Sequence, residues 1–375
     1  MDILDIVKVI AGLVLLLAGG EALVRGASTL ATRVGLSPLV IGLVVVSAAT
    51  SAPEFATTVG AVYQGEPDLA LGNVVGSNIF NILFILGLSA IIRPLVIKRQ
   101  LVRFDIPVMV GLSVLLVVLS LDGQISVLDG VMLLAGLTIH TVMSIIVGRR
   151  DVADPTSPPD TLPLNSKPVP LWLAGVLIII GIALLVFGAQ LLVDGAVSIA
   201  SGLGVSSLVI GLTVVAVGTS MPELATSLIA LRRGETDMAV GNIVGSNIFN
   251  IGMVLGLPAV IFGGGIPVSA AAIAVDLPLM LATAVALLPI AFTGFIIARW
   301  EGALFVLLYV AYTLYLVFAS TQHDAAEGFT LIMLWFVLPL IAATLIVVTS
   351  YEIGVIRGRR RVVDDPTVEA DDRVP

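Results

Sequence analysis

Cysteine is absent from the chain, histidine occurs twice, and charged residues make up only 12% of it. The lack of cysteine removes disulfides, thiolate zinc sites and thiol catalysis together. Redox chemistry therefore gives no compartment. The shortage of charge is more telling, because soluble domains carry about a quarter charged residues. At 375 residues, 58% hydrophobic and a mean hydropathy of +1.14, the chain reads as a polytopic membrane protein. Its net charge of −8 comes largely from Asp151, Asp154 and Asp160 and from Asp364, Asp365, Glu369, Asp371 and Asp372. Such runs read as solvated surface, and nothing in them points to a nucleic-acid partner. The opening Met1-Asp2-Ile3-Leu4-Asp5 has no basic stretch and no small-residue cleavage site, so it reads as the start of the first span.

A bilayer core takes about 20 apolar residues per helix. On that ruler the chain divides into Ile3 to Thr32, Pro38 to Tyr63, Asp68 to Ile92, Phe104 to Leu121, Ile125 to Val147, Val169 to Ala200, Ser206 to Leu231, Asp237 to Phe262, Val268 to Ala291, Glu301 to Ala319 and Phe329 to Ser350. Lysine and arginine collect on one side of these spans: Arg33; Arg93, Lys98, Arg99 and Arg103; Arg149, Arg150 and Lys167; Arg232 and Arg233; Arg299; and Arg357, Arg359, Arg360 and Arg361. The opposite connections hold Gln64, Glu66, Asp122, Gln124, His323, Asp324 and Glu327. By the positive-inside rule the N-terminus is outside and the C-terminus inside.

Two segments break the apolar pattern in the same way. Ala49-Thr50-Ser51-Ala52-Pro53-Glu54 and Gly218-Thr219-Ser220-Met221-Pro222-Glu223 each set an acid one residue past a proline at membrane depth. A charged group in hydrocarbon costs about 2.5–3.5 kcal/mol on insertion scales and by default marks an ion or substrate path. The two segments are 169 residues apart, and that offset holds elsewhere without a gap: Gly26 maps to Gly195, Gly42 to Gly211, Gly65-Glu66 to Gly234-Glu235, Asp68 to Asp237, and Gly72–Asn81 to Gly241–Asn250. The chain is duplicated. Five spans separate equivalent positions, an odd number, so the copies enter the membrane from opposite faces, as in the inverted repeats of secondary transporters.

The expected fold is thus an all-α integral membrane protein of two inverted five-helix repeats, ten transmembrane helices, plus one extra C-terminal helix. The expected organisation is a first half over 1–148, a cytoplasmic linker over 149–168 rich in Pro, Asp and Ser, a second half over 169–320, an accessory span over 329–350 and a cytoplasmic tail over 351–375. The expected location is the plasma (inner) membrane, with the lipid bilayer as surroundings and no obligate protein partner.

Proline at 53 removes a backbone donor and crowds the carbonyl four residues earlier. Carbonyls at Ala49 and Thr50, and at Gly218 and Thr219, are therefore expected to leave the helical ladder and become ligands. Thr50 and Glu54 are four apart, as are Thr219 and Glu223, so carbonyl and carboxylate share a face. In the second motif Ser77 and Asn81, and Ser246 and Asn250, are also four apart, while Gly72, Gly76, Gly241 and Gly245 permit close helix approach. Every polar side chain in this set offers oxygen, which favours a hard cation over zinc or copper. Ca2+ takes about six to eight oxygens; two bidentate carboxylates with the Thr50 and Thr219 carbonyls supply about six. Two glutamate charges balance one divalent ion. The same oxygens, shared differently with Ser51, Ser220, Ser77, Ser246, Asn81 and Asn250, suit Na+, and competition for one ligand set is what an antiporter needs.

At these residues the sequence resembles the sodium/calcium exchanger family of the calcium/cation antiporter superfamily, prokaryotic type. The resemblance implies that Glu54 and Glu223 coordinate both Ca2+ and Na+. It implies Ca2+ carbonyl ligands at Thr50 and Thr219, and sodium ligands drawn from Ser47, Ser51, Ser77, Ala216, Thr219, Ser220 and Ser246, with Asn81 and Asn250 near the central site. It also implies alternating access, in which the long first and sixth spans slide against the rest of the bundle. Two positions depart from the pattern: Asn250 stands where the potassium-dependent branch carries Asp, and Gly218 in the second repeat answers Ala49 in the first.

The leading reading is a secondary transporter, not an enzyme, with no cofactor, that exchanges Ca2+ for Na+ by alternating access. Its rival is proton-coupled Ca2+ exchange, since a buried glutamate can carry a proton in place of sodium. A passive cation channel is a more remote alternative. Ser77 and Ser246 have a plainer reading as groups bonded back to their own helices. Asn73, Asn78, Asn242 and Asn247 read as helix-packing polar groups. Asp105 and Asp276, each two residues before a proline, read as groups that cap or hydrate a helix end, Glu21 and Asp129 as facing water, and His140 as a satisfied interhelical hydrogen bond.

Overall fold

A computed structural model describes residues 3–153, 170–203, 216–292 and 295–320. The accessory span expected over 329–350, the tail, most of the linker and the start of the seventh span lie outside the described residues. Among the described residues eight helices are long and apolar enough to cross a membrane, and a ninth such element is the bent pair Pro38–Thr50 and Ala52–Gln64. The helices that position the site are α1 (Ile3–Val34), α2 (Ala52–Gln64), α3 (Pro67–Ile79), α4 (Ile106–Leu119), α5 (Val127–Ala153), α6 (Leu171–Gly202), α7 (Met221–Arg232), α8 (Thr236–Phe249), α9 (Leu277–Phe292) and α10 (Arg299–Ser320).

Burial sorts these helices into two kinds. The spans Pro67–Ile92 and Thr236–Phe262 are 72% and 83% buried, whereas Ile3–Val34 and Leu171–Gly202 are 28% and 22% buried. The first two, which carry the Gly-Asn motifs, form the centre. The second two, each 32 residues long, run along its outside as a pair.

That outer pair is held by glycine. A Cβ placed on Gly12 would stand 2.7 Å from the Gly188 carbonyl oxygen, one on Gly19 2.9 Å from the Gly181 oxygen, and one on Gly26 2.7 Å from the Ala174 oxygen. As the number rises on α1 it falls on α6, so the two run antiparallel. Lipid gives helices no hydrophobic reason to associate, and small residues supply the close packing instead. Gly12, Gly19 and Gly26 correspond to Gly181, Gly188 and Gly195 under the 169-residue offset, so both partners bring the same stripe.

The halves also interlock elsewhere, always in matched pairs. Two-residue strands β1 (Leu95–Val96) and β4 (Ile296–Ile297) pair antiparallel, as do β2 (Gln124–Ile125) and β3 (Ile266–Pro267). Each ribbon joins one half to the other. Gly87 and Gly302 approach with built Cβ atoms 2.8 and 2.5 Å from each other's backbone oxygen, and Gly130 and Gly256 do so at 2.6 and 3.1 Å. α10 thus packs on the third span of the first half, and α5 on that of the second.

Turns of π-helix interrupt the spans at Gly42–Val46, Phe80–Leu86, Leu101–Asp105, Asn250–Leu255 and Ala272–Asp276. Four of them form two repeat-related pairs. Such wider turns re-aim side chains and cluster at functional sites, and no periodicity in the sequence signals them.

Two polar residues depart from expectation. Asp105 does not lie at a hydrated end: it is fully buried, and its Oδ1 sits 2.9 Å from His140 Nε2 and accepts from Ser144 Oγ at 2.8 Å. His140 is the interhelical partner expected of it. Asp129 does not face water either, since its Oδ2 accepts from Ser126 N and Oγ, both at 2.7 Å, closing the start of α5. Glu21, by contrast, is half exposed and pairs with Arg233.

Two stability outcomes follow. Gly12→Leu forces a side chain onto backbone and should lower the thermal midpoint of detergent-solubilised protein by several degrees, whereas Gly175→Leu on the same outer pair meets nothing within 4 Å and should leave it unchanged. His140→Phe strands Asp105 in the interior and should cost about 1–3 kcal/mol; adding Asp105→Leu should recover part of the loss in the same melt.

Candidate ion-binding site

Each site glutamate sits where a broken span restarts. The chain leaves helical geometry at Ser51 (φ −77°, ψ 5°) and at Ser220 (φ −88°, ψ 10°), and a new helix begins at the next residue. The bend between Pro38–Thr50 and Ala52–Gln64 is 42°. Pro53 and Pro222 fall in the first turn of the new helices, where a missing N–H costs nothing because no partner awaits it. The two breaks have the same cause and nearly the same backbone angles. Both glutamates therefore lie in the first turn of a helix, at the end whose free N–H groups favour negative charge.

Both carboxylates have 0% exposure. Ser220 Oγ, from the second half, donates to Glu54 Oε1 at 3.0 Å. Glu54 Oε2 and both oxygens of Glu223 have no hydrogen-bond partner. Glu223 faces Glu54, and the hydroxyls of Thr50 and Ser246 stand near it without meeting hydrogen-bond geometry. The salt bridges among the described residues involve Lys98, His140 and Arg233, and none reaches either glutamate.

Further unpartnered atoms come from the expected set. Ser51 Oγ, Ser77 Oγ, both amide atoms of Asn81 and Oδ1 of Asn250 are buried with no partner in the structure. Ser77 is therefore not bonded back to its own helix. Ser246 Oγ lies 3.4 Å from Thr50 Oγ1, which joins the two halves again. Ser47 spends its hydroxyl on the Leu43 carbonyl. Asn250 Nδ2 donates to Asn78 Oδ1 at 3.1 Å. Ala216 lies in the helical stretch Ala216–Thr219, which leads into the second break. Buried polar atoms are nearly always paired in native structures; among the described residues these orphan atoms share the buried interior with the two carboxylates.

Behind this set lies a second layer that reading the sequence left as packing. Asn73 Nδ2 donates to the Glu54 carbonyl and to Thr58 Oγ1, both at 3.0 Å, while its Oδ1 accepts from Thr219 Oγ1 at 3.4 Å. Asn242 Nδ2 donates to Ser227 Oγ at 3.1 Å, and its Oδ1 accepts from Thr50 Oγ1 at 3.2 Å. The signal was present in the repeat: Thr58 and Ser227 are related by the same offset as the two asparagines.

Comparison with known proteins meets this geometry. The family model described as "Sodium/calcium exchanger protein" matches residues 5–146 and 173–318. The chain belongs to the sodium/calcium exchanger family. It is 39% identical over 322 residues to the putative antiporter CaxA of Alkalimonas amylolytica, covering 83% of this chain and 98% of that one. It is 31% identical over 336 residues to the sodium/calcium exchanger MaX1 of Methanosarcina acetivorans, covering 80% and 95%. Among solved structures, the sodium-calcium exchanger NCX_Mj soaked with Na+ and Sr2+ superposes with a TM-score of 0.70 at 35% identity, over 83% of this chain and 97% of that one. This member of the family is thus a multi-pass membrane protein of the cation-exchanger fold.

Proposed function

We propose that the protein is a secondary antiporter that exchanges Ca2+ for Na+ by alternating access, with both ions as transported substrates. One observation carries the reading: two carboxylates, one from each half, are fully buried side by side among unpartnered neutral oxygens. A divalent cation supplies the charge balance that the protein itself withholds. Glu54, Glu223, Thr50 and Thr219 hold Ca2+, the threonines through backbone carbonyls. Na+ draws on the same carboxylates and on Ser47, Ser51, Ser77, Ala216, Thr219, Ser220 and Ser246, with Asn81 and Asn250 at the centre. Neutral Asn250 keeps the site's charge at that of two glutamates.

Ten spans in two inverted halves, 1–148 and 169–320, with an eleventh over 329–350, are the architecture this mechanism uses. The N-terminus lies outside and the tail inside a plasma (inner) membrane. The ribbons support that orientation: β1 and β4 bring the ends carrying Arg93, Lys98 and Arg299 together, and β2 and β3 gather Asp122 and Gln124.

The test is Ca2+ efflux from liposomes holding the purified chain, driven by an imposed Na+ gradient with pH clamped on both sides. Sodium-driven efflux is expected. Efflux that follows a proton gradient and ignores sodium would replace Na+ by H+ as the coupling ion, and net Ca2+ flux with no counter-ion on either side would make the protein a channel. Glu54→Gln and Glu223→Gln should each abolish Ca2+ transport while the protein still elutes as a folded species. Retained transport in either variant would remove that carboxylate from the site.

A further inference from the structure

The exchange reading leaves Asn73 and Asn242 outside the ligand set, yet both are buried within the centre and both cross from one half to the other. Each is bound in the same manner. Asn73 on α3 ties its Nδ2 to Thr58 on α2, within its own half, and offers Oδ1 to Thr219 at the break of the other half. Asn242 on α8 ties its Nδ2 to Ser227 on α7 and offers Oδ1 to Thr50. A planar amide with its nitrogen anchored has the direction of its oxygen fixed as well. The threonine hydroxyl that meets that oxygen fixes the side chain of the residue immediately before each break.

We infer that Asn73 and Asn242 are positioning residues for the ion site, each setting the carbonyl of the opposite half's break threonine through that threonine's hydroxyl. The inference rests on the exchanger reading, in which those carbonyls bind Ca2+. It explains a feature that the ligand set alone does not, namely why the residue before the break is threonine in both repeats when only its backbone would touch Ca2+. Asn73 adds a second hold by donating to the backbone carbonyl of Glu54 itself. The plainer account is a pair of polar contacts that merely glue helices together. The two accounts part on whether losing the contact changes ion affinity at constant turnover, and on which partner each asparagine serves.

The experiment uses the full chain, with Ca2+ titrated calorimetrically into detergent-solubilised protein and sodium-driven Ca2+ flux measured in liposomes. Thr50→Val keeps shape and carbonyl but removes the hydroxyl; Asn242→Leu removes its acceptor. Each should raise the half-saturating Ca2+ concentration roughly tenfold, the scale of a buried hydrogen bond broken on one side; in Asn242→Leu, which removes no ligand, maximal flux should stay within about twofold of wild type. Thr50→Ser, which restores a hydroxyl, should recover most of the loss. The bonded pair Thr50→Val/Asn242→Leu should be no worse than the poorer single variant, while the unbonded pair Thr50→Val/Asn73→Leu should multiply to roughly a hundredfold, since only coupled positions depart from additivity.

Wild-type affinity in Thr50→Val, or full multiplication within the bonded pair, would overturn the assignment. Where a leucine variant fails to fold, Thr50→Val and Thr219→Val carry the test alone, and unchanged Ca2+ affinity in both would overturn it. A wild-type protein that binds Ca2+ but moves it without sodium defeats the coupling-ion reading and leaves this assignment to the titration.

Discussion

Two carboxyl groups have been carried out of water into the middle of a bundle, and no salt bridge among the described residues reaches either of them. Burying an ionised carboxylate unpaired costs several kcal/mol even after a protein relaxes around it, and Glu54 and Glu223 sit together, which compounds the cost. What the fold supplies in compensation is partial: a helix N-terminus at each glutamate and one hydroxyl on Glu54. On the exchanger reading proposed above, the remainder comes from the transported cation.

The breaks in the spans follow from the same constraint. An unbroken helix would commit every N–H and C=O to its own ladder and present only side chains to the ion. A serine in non-helical geometry just before a proline-bearing first turn exposes helix ends at membrane depth, which is tolerable only where protein surrounds them. That requirement explains why the second and third spans of each half are central while α1 and α6 stay at the lipid boundary. It also explains why contacts between the halves outnumber devices that stabilise either half alone. The Ser220–Glu54 bond, the Thr–Asn crossings, the two ribbons and the glycine approaches all bridge the repeats, so neither half holds a finished site.

Reading the residues in order reached the broken spans, both glutamates, the duplication and the long outer pair, because each is written locally or in a fixed offset. The π-helical turns left no mark, since a single extra residue per turn does not disturb an apolar run that lacks strong periodicity. The placement of Asp105 is not legible locally, because its partners His140 and Ser144 come from the following span and nothing in the chain marks which face of that span meets it. Asp129 was legible and overlooked: Ser126-x-x-Asp129 is the spacing of a reciprocal helix cap, and its hydrogen bonds follow that form. Asn73 and Asn242 needed the twofold to be seen in space, for only then does Thr50 stand opposite the asparagine of the other copy.

That twofold is not exact, and the departure has a direction. α1 leans on α7, with no comparable contact between the outer pair and α2, and Arg233 at the end of α7 pairs with Glu21 while Glu235 accepts from Ser28 at 3.0 Å. The positions equivalent to Glu21 and Arg233 are Gln190 and Gln64. Were the outer pair to lean the other way, the matching contact would bring two neutral amides together in place of opposite charges. An ion pair with a half-exposed glutamate contributes under about 1 kcal/mol, which is a bias of no more than roughly fivefold between the two arrangements. On the alternating-access reading proposed above, a bias of that size is small enough for bound ions to overrule, so the charge difference would tilt the carrier's equilibrium without locking it.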